Sequence, residues 1–306
     1  MPKAALLPGI GERGAMLCMR RCVDRLIRTS IVPLAVAAGL AGAGTAVAQV
    51  IMPDPEASEN WQKVKKGVFD GRAIVPASAD MLELEAPIRA EDAAVVPIAI
   101  RTRIPQRSDR YVKKLYLVID KNPSPVGAIF EFTPQAGIAE IETRVRIEEY
   151  THVRAIAEFN DGKLYSATRY VKASGGCSAP AGKDLQEAMA RLGKTRFRVE
   201  GDVKYGSPAL AQLMVSHPNI SGLARDQVTH LYEPAYYVRR IDVTYAGKPV
   251  MTADVDFTIS ENPNLRFYFV PERDGELRAE IVDTKDKRFE SLLRVTAGPA
   301  SARAAP

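Results

Sequence analysis

The sequence predicts an all-β chain built of two β-sandwich domains, each on the order of 100 residues. Apolar and polar residues alternate over short runs such as 141–147, the period of a half-buried strand. Turn signals recur between such runs, with Asn160-Asp161-Gly162-Lys163 and Ala246-Gly247-Lys248 the strongest. Short strands punctuated this often favour a sandwich over a βαβ fold.

Taken in order, residues 1–48 read as a secretory signal peptide. Arg20, Arg21, Arg25 and Arg28 stand against Asp24, residues 31–47 are apolar and rich in Ala and Gly, and Ala46-Val47-Ala48 ends the run. Cleavage is expected after Ala48, with the start at Met1 or Met16. Gly9-Ile10-Gly11-Glu12-Arg13-Gly14 has the spelling of a dinucleotide-binding loop, but it follows no strand and opens no βαβ unit. Residues 49–72 form an N-terminal segment with a short helix at 61–69.

The first sandwich is expected over 73–172. Residues 115–119 are continuously apolar and stop at Asp120-Lys121-Asn122-Pro123, as an inner strand ending in a turn does. Residues 153–159 and 164–171 flank the Asp-Gly turn as a hairpin. Residues 173–195 form a flexible arm and a linker helix at 183–192. The second sandwich spans 196–297, with a hairpin of 237–245 and 249–255 and further strands at 265–270 and 276–283. Residues 298–306 are a disordered tail by composition.

The full chain has 42 Lys+Arg and 37 Asp+Glu, a net charge of +5. Six of those basic residues and two of the acidic ones lie in 1–48, leaving 36 against 35 in the remainder. No basic stripe with interleaved aromatics survives, which argues against a nucleic-acid partner. No apolar stretch after the leader is long enough to span a bilayer. Export places the mature chain in an oxidising compartment, the bacterial periplasm.

Of the three cysteines, Cys18 and Cys22 lie in the leader, so Cys177 alone remains. It sits in Ala173-Ser174-Gly175-Gly176-Cys177-Ser178-Ala179-Pro180, a run with no bulky side chain and no disulfide partner. Gly175 and Gly176 give the backbone wide freedom, so the expected site is a thiol on a mobile, solvent-reachable arm hinged at those glycines. A thiol enzyme would need a base held within hydrogen-bond reach. His152, His217 and His230 are all distant from the arm in sequence. His217-Pro218 reads as a turn or cap at a strand end. Lys172 and Lys183 are near enough in sequence to favour thiolate modestly.

Other constellations carry less. Three dispersed histidines and one cysteine make no metal site, and nothing Gly-rich cradles a phosphate. Glu148-Glu149 reads as a solvated strand end and Asp254/Asp256 as an exposed strand face. Tyr236-Tyr237 with Tyr232 reads as sandwich core or domain contact, or else as a docking surface. No catalytic residue, bound cofactor or metal is assigned.

Several stretches resemble a known family. Residues 82–177 are similar to the sulfur carrier subunit SoxY, through Ala94-Val95-Val96-Pro97-Ile98, residues 112–125, Ala157-Glu158-Phe159-Asn160-Asp161-Gly162, Tyr165-Ser166-Ala167 and the terminal Gly175-Gly176-Cys177. The second half resembles SoxZ, through His217-Pro218-Asn219-Ile220-Ser221-Gly222, Pro234-Ala235-Tyr236-Tyr237, residues 243–250 and residues 260–267. The order implies a fused SoxYZ-like carrier, of the type associated with quinoprotein dehydrogenases. The resemblance implies two immunoglobulin-like β-sandwich domains packed on each other, with a covalent sulfur adduct on Cys177 and no turnover of its own. It implies periplasmic redox enzymes as partners, either Sox-type or a quinoprotein dehydrogenase with a c-type cytochrome. The alternative is an accessory protein of such a dehydrogenase in which Cys177 is dispensable. In SoxY the arm ends the chain. Here Ser178, Ala179 and Pro180 follow the cysteine and a second domain continues, so the arm is tethered at both ends.

Overall fold

The computed structural model describes residues 52–180, 185–225 and 230–296. The expected leader, Lys183 and the expected tail lie outside the described residues. A short helix, α1 (Glu59–Phe69), is capped by Ser58, whose hydroxyl accepts from the Trp61 amide. Then come β1 (Ile74–Pro76), β2 (Leu82–Glu85), β3 (Val96–Thr102), β4 (Val112–Ile119), β5 (Val126–Phe132), β6 (Ile141–Val145), β7 (Thr151–Phe159) and β8 (Leu164–Val171). After α2 (Leu185–Ala190) follow β9 (Thr195–Glu200), β10 (Ala209–Val215), β11 (Val238–Tyr245), β12 (Lys248–Val255), β13 (Asn264–Phe269), β14 (Gly275–Asp283) and β15 (Arg288–Val295).

The chain is all-β and immunoglobulin-like, and its strands make two facing sheets. A nine-stranded sheet has the order β1-β8-β7-β4-β5-β12-β11-β14-β15, and a six-stranded sheet the order β2-β3-β6-β13-β10-β9. Each strand pair is antiparallel except β1 with β8. Both expected hairpins form. The β11–β12 turn puts Ala246 at φ 48° and Gly247 at φ 79°, the two positive angles that a two-residue turn matching strand twist requires. In the β7–β8 turn only Gly162 takes a positive φ, 82°.

The two halves do not close separately. β5 pairs with β12 from Phe132↔Met251 to Ala128↔Val255, and β6 pairs with β13 through Ile141↔Phe267 and Glu142↔Arg266. An edge strand carries unpaired N–H and C=O groups, and here each half supplies the other's missing partner in both sheets. Phe130, Phe132 and Ile141 of the first half consequently share one buried cluster with Val250, Ala253 and Phe267 of the second.

A smaller cluster lies on the outer face of the nine-stranded sheet, where Trp61, Val64 and Phe69 of α1 cover Tyr116, Val118, Ile156 and Leu164. Beside it the Arg154 guanidinium, 4.3 Å from the Trp61 ring centre, is paired with Asp120 at 2.7 Å. Arg154 also donates to the Pro55 carbonyl, which pins the N-terminal segment to the sheet. α2 is shorter than the expected linker helix and buries none of its side chains.

Candidate functional site

Cys177 lies in the turn that follows β8, held by residues of both halves. Gly175 N–H donates to the Glu148 carbonyl at 2.8 Å and Gly176 N–H to the Ile147 carbonyl at 2.9 Å. The Glu148 carboxylate then takes three bonds: from Cys177 N–H at 2.8 Å, Ser178 N–H at 3.1 Å and the Ser178 hydroxyl at 2.8 Å. From the second half, the Ser221 hydroxyl donates to the Cys177 carbonyl at 2.5 Å. Four consecutive amides of the turn are satisfied, each by the segment that leaves β6.

This corrects the expectation of a flexible arm with an exposed thiol: Cys177 is 0% exposed. Composition allows freedom at Gly175 and Gly176, but both are used for docking. Gly175 takes φ +80°, which a side chain disfavours. A Cβ on Gly176 would stand 2.0 Å from the Ala93 carbonyl oxygen, so only glycine lets the two backbones approach this closely.

Burial, then the Glu148 charge, push the Cys177 thiol up to about 12, with Asp256 adding to them and Arg146 opposing. At neutral pH the docked sulfur is therefore a protonated thiol and a weak nucleophile. Arg146 is itself buried, and its Nη1 is committed to the Phe257 and Ile259 carbonyls, each at 2.8 Å. Burial lowers its pKa, with Cys177 the leading opposing influence. The Lys172 effect expected from sequence is not among those acting on the thiol. No histidine is among them either.

Each histidine instead has a structural place. His152 packs edge-on to Tyr170 at 5.0 Å, and the His230 carbonyl accepts from Arg225. His217 behaves as the turn residue its Pro neighbour suggested: Nδ1 accepts from the Asn219 amide at 3.0 Å while Nε2 faces Asp283 at 3.6 Å. Burial depresses the His217 pKa to about 4, against the opposing Asp283 charge. The unfolded chain thus binds a proton that the folded one refuses. His217 should stabilise the fold fully above pH ~6.5, and that contribution should fade as pH falls toward 4, by up to about 3 kcal/mol. Urea unfolding midpoints measured from pH 7 to 4.5 should decline in wild type, and the decline should be shallower in His217→Gln.

Two carboxylate readings also change. Glu148 is the anchor of the turn rather than a solvated strand end, whereas Glu149 is exposed beside Lys121. Asp254 is exposed and paired with Arg240, but Asp256 has an unpartnered buried oxygen and burial holds its carboxyl above the usual range. Tyr236 is core, donating its hydroxyl to buried Asp283 at 2.8 Å, and Tyr232 is exposed. Sequence reasoning missed Glu148, Arg146 and Ser221 as neighbours of the thiol. Of these only Ser221 had a signal, since it falls inside a stretch that carries the SoxZ resemblance. Among the described residues no cluster of His, Cys, Asp and Glu could hold a metal, and no helix is long and apolar enough to cross a membrane.

Comparison with known proteins follows this division of the chain. The family described as Sulfur oxidation protein SoxY matches residues 65–177, ending on the docked cysteine, and Sulphur oxidation protein SoxZ matches 197–293. No curated protein matches. Among solved structures, the sulfur carrier protein SoxY from Chlorobium limicola f thiosulfatophilum is 26% identical, covering 37% of this chain and 91% of that one at a TM-score of 0.32. A superoxide reductase (neelaredoxin) from Ignicoccus hospitalis is 14% identical, covering 40% and 94% at a TM-score of 0.29. Overlaps this low carry no functional argument. The two family matches do, in order and along both halves of one continuous sandwich: the chain is a fused SoxYZ-like protein of the sulfur-oxidation carrier family.

Proposed function

We propose that the protein is a periplasmic carrier that holds a sulfur intermediate covalently on Cys177 and presents it to partner redox enzymes, without turnover of its own. The observation that carries this reading is that the SoxY match ends on Cys177, in a Gly-Gly-Cys turn. The docked thiol is protonated and enclosed, so loading requires the turn to leave its seat. Release breaks the four hydrogen bonds donated by the turn's amides, the Ser178 hydroxyl bond to Glu148 and the Ser221 contact, but no strand pairing. The cost is local, and the sandwich can stay folded while the arm opens. Intact-mass analysis of protein purified without reductant should find sulfur adducts that vanish in Cys177→Ala. An unmodified thiol that stays inert toward thiosulfate and toward sulfide, each supplied with a two-electron oxidant, would defeat the proposal.

The enclosure of the thiol favours a second reading, an accessory protein of a periplasmic quinoprotein dehydrogenase and its c-type cytochrome in which Cys177 is idle. A Cys177→Ser strain separates the two. It should behave like wild type under the accessory reading and like the gene deletion under the carrier reading.

A further inference from the structure

We propose that docking of the arm reports whether it is loaded: the free thiol closes into the seat, and an anionic sulfur adduct on Cys177 holds the arm out. The inference rests on the carrier reading for the origin of the adduct, but not for its own test.

Volume supplies the first reason. At 0% exposure, not even a water-sized sphere touches Cys177 in the docked state. The arm is held close against backbone at the preceding residue, with the Ala93 carbonyl and the Ile147 amide within 2.8 Å of where a Gly176 Cβ would stand. Backbone held in hydrogen bonds yields less readily than a flexible side chain, and a close-packed interior has no slack for a group the size of a sulfonate.

Charge supplies the second. The charged groups near enough to act on the sulfur are Glu148, whose carboxylate accepts from the Cys177 amide at 2.8 Å, with Arg146 from the same segment after β6 and Asp256 from the loop after β12. Ser221 faces the Cys177 carbonyl and Ala93 the Gly176 backbone, and both are uncharged. Arg146 is the single cation, and its Nη1 is already engaged by two carbonyls. Glu148 is committed to three donors of the turn itself. A sulfonate introduced here would meet one carboxylate that cannot turn away without releasing the arm, and another with an unpartnered buried oxygen. Burying an anion beside these two carboxyl groups is strongly unfavourable. The neutral thiol meets neither obstacle.

Loading would then be self-committing. An adduct acquired while the arm is open cannot be hidden again, and removing it lets the thiol return to its seat, protected from stray oxidation.

Hydrogen exchange at the amides of Gly175, Gly176, Cys177 and Ser178 reads the docked state directly, since each is bonded in it. The adduct is installed chemically. The Cys177 thiolate attacks an inner sulfur of tetrathionate, forming Cys–S–S–SO3⁻ and expelling thiosulfate as the leaving group. Should the native protein resist, labelling is done in urea and followed by refolding. The free-thiol protein is expected to protect these four amides, and the adduct to exchange them at least tenfold faster, with protection restored by dithiothreitol. Equal protection in the two forms would overturn the proposal. So would faster exchange that extends through β7 and β8, because the adduct would then be unfolding the sandwich rather than freeing the arm. Absence of adducts on protein from cells would count against the carrier reading alone.

Discussion

Gly176→Ala should raise the alkylation rate of Cys177 at pH 8 by at least 100-fold. The new methyl group would overlap the Ala93 carbonyl oxygen at 2.0 Å, a contact that no rotamer relieves because Cβ has none. The turn must leave its seat, and the thiol falls from about 12 back toward its ordinary value of 9.0. Each unit of that fall increases the thiolate fraction tenfold at a pH below both values. The pH dependence carries a second signature. Burial stabilises the protonated thiol, so docking is at full strength below pH ~9 and weakens as pH rises toward 12. Wild-type reactivity toward iodoacetamide should therefore still climb tenfold per pH unit at pH 10, whereas Gly176→Ala should be levelling off. A wild-type thiol reacting at pH 8 as fast as free cysteine would show that the seat is not occupied in solution.

Asp120→Ala should destabilise the fold by about 3 kcal/mol, because it takes the buried partner from the Arg154 guanidinium and leaves it only exposed Glu56 at 3.7 Å. The Asp120 and Arg154 side chains are each only 2% exposed, and the carboxylate takes both Nε at 2.8 Å and Nη2 at 2.7 Å. Arg154 also lies against Trp61 and reaches the Pro55 carbonyl, so its displacement loosens α1 and the N-terminal segment together. For a domain of this size the melting temperature should drop by roughly 10 °C. Trp61 is the single tryptophan, so its fluorescence in a urea titration follows this event. The double variant Asp120→Leu/Arg154→Met should lose less than Asp120→Ala alone, since it leaves no unpaired charge. Equal losses in the two would mean that the cost is cavity formation rather than charge burial.

The hairpins β7–β8 and β11–β12 and the helix α1 were legible in the sequence, because each writes its period and its turn within one short window. β6 was legible as a strand from its alternation over 141–147 and β5 was not read as one, but the joining of the halves by both was hidden. Their role depends on partners more than 100 positions away, and local patterning carries no register information at that distance. The cysteine was legible as the singular residue of the chain, but its surroundings were not. A run of small residues signals that the backbone can move freely, and it signals equally that the backbone can be packed tightly against another. Gly175 and Gly176 turned out to serve the second use. Glu148 was read as solvated for a related reason. A carboxylate at a strand exit looks solvated until the amides that point at it are known, and those amides arrive from a turn 29 positions on.

The shared sheets have a consequence for how such a protein is maintained in a cell. A carrier assembled from two separate gene products dissociates on dilution, exchanges subunits with paralogues and depends on matched expression. Here the partner strand is supplied in cis at an effective concentration on the order of millimolar, whatever the cell makes. Stoichiometry is fixed at one to one by translation, and the cysteine's seat, which needs Ser221 from one half and Glu148 from the other, is complete in every copy.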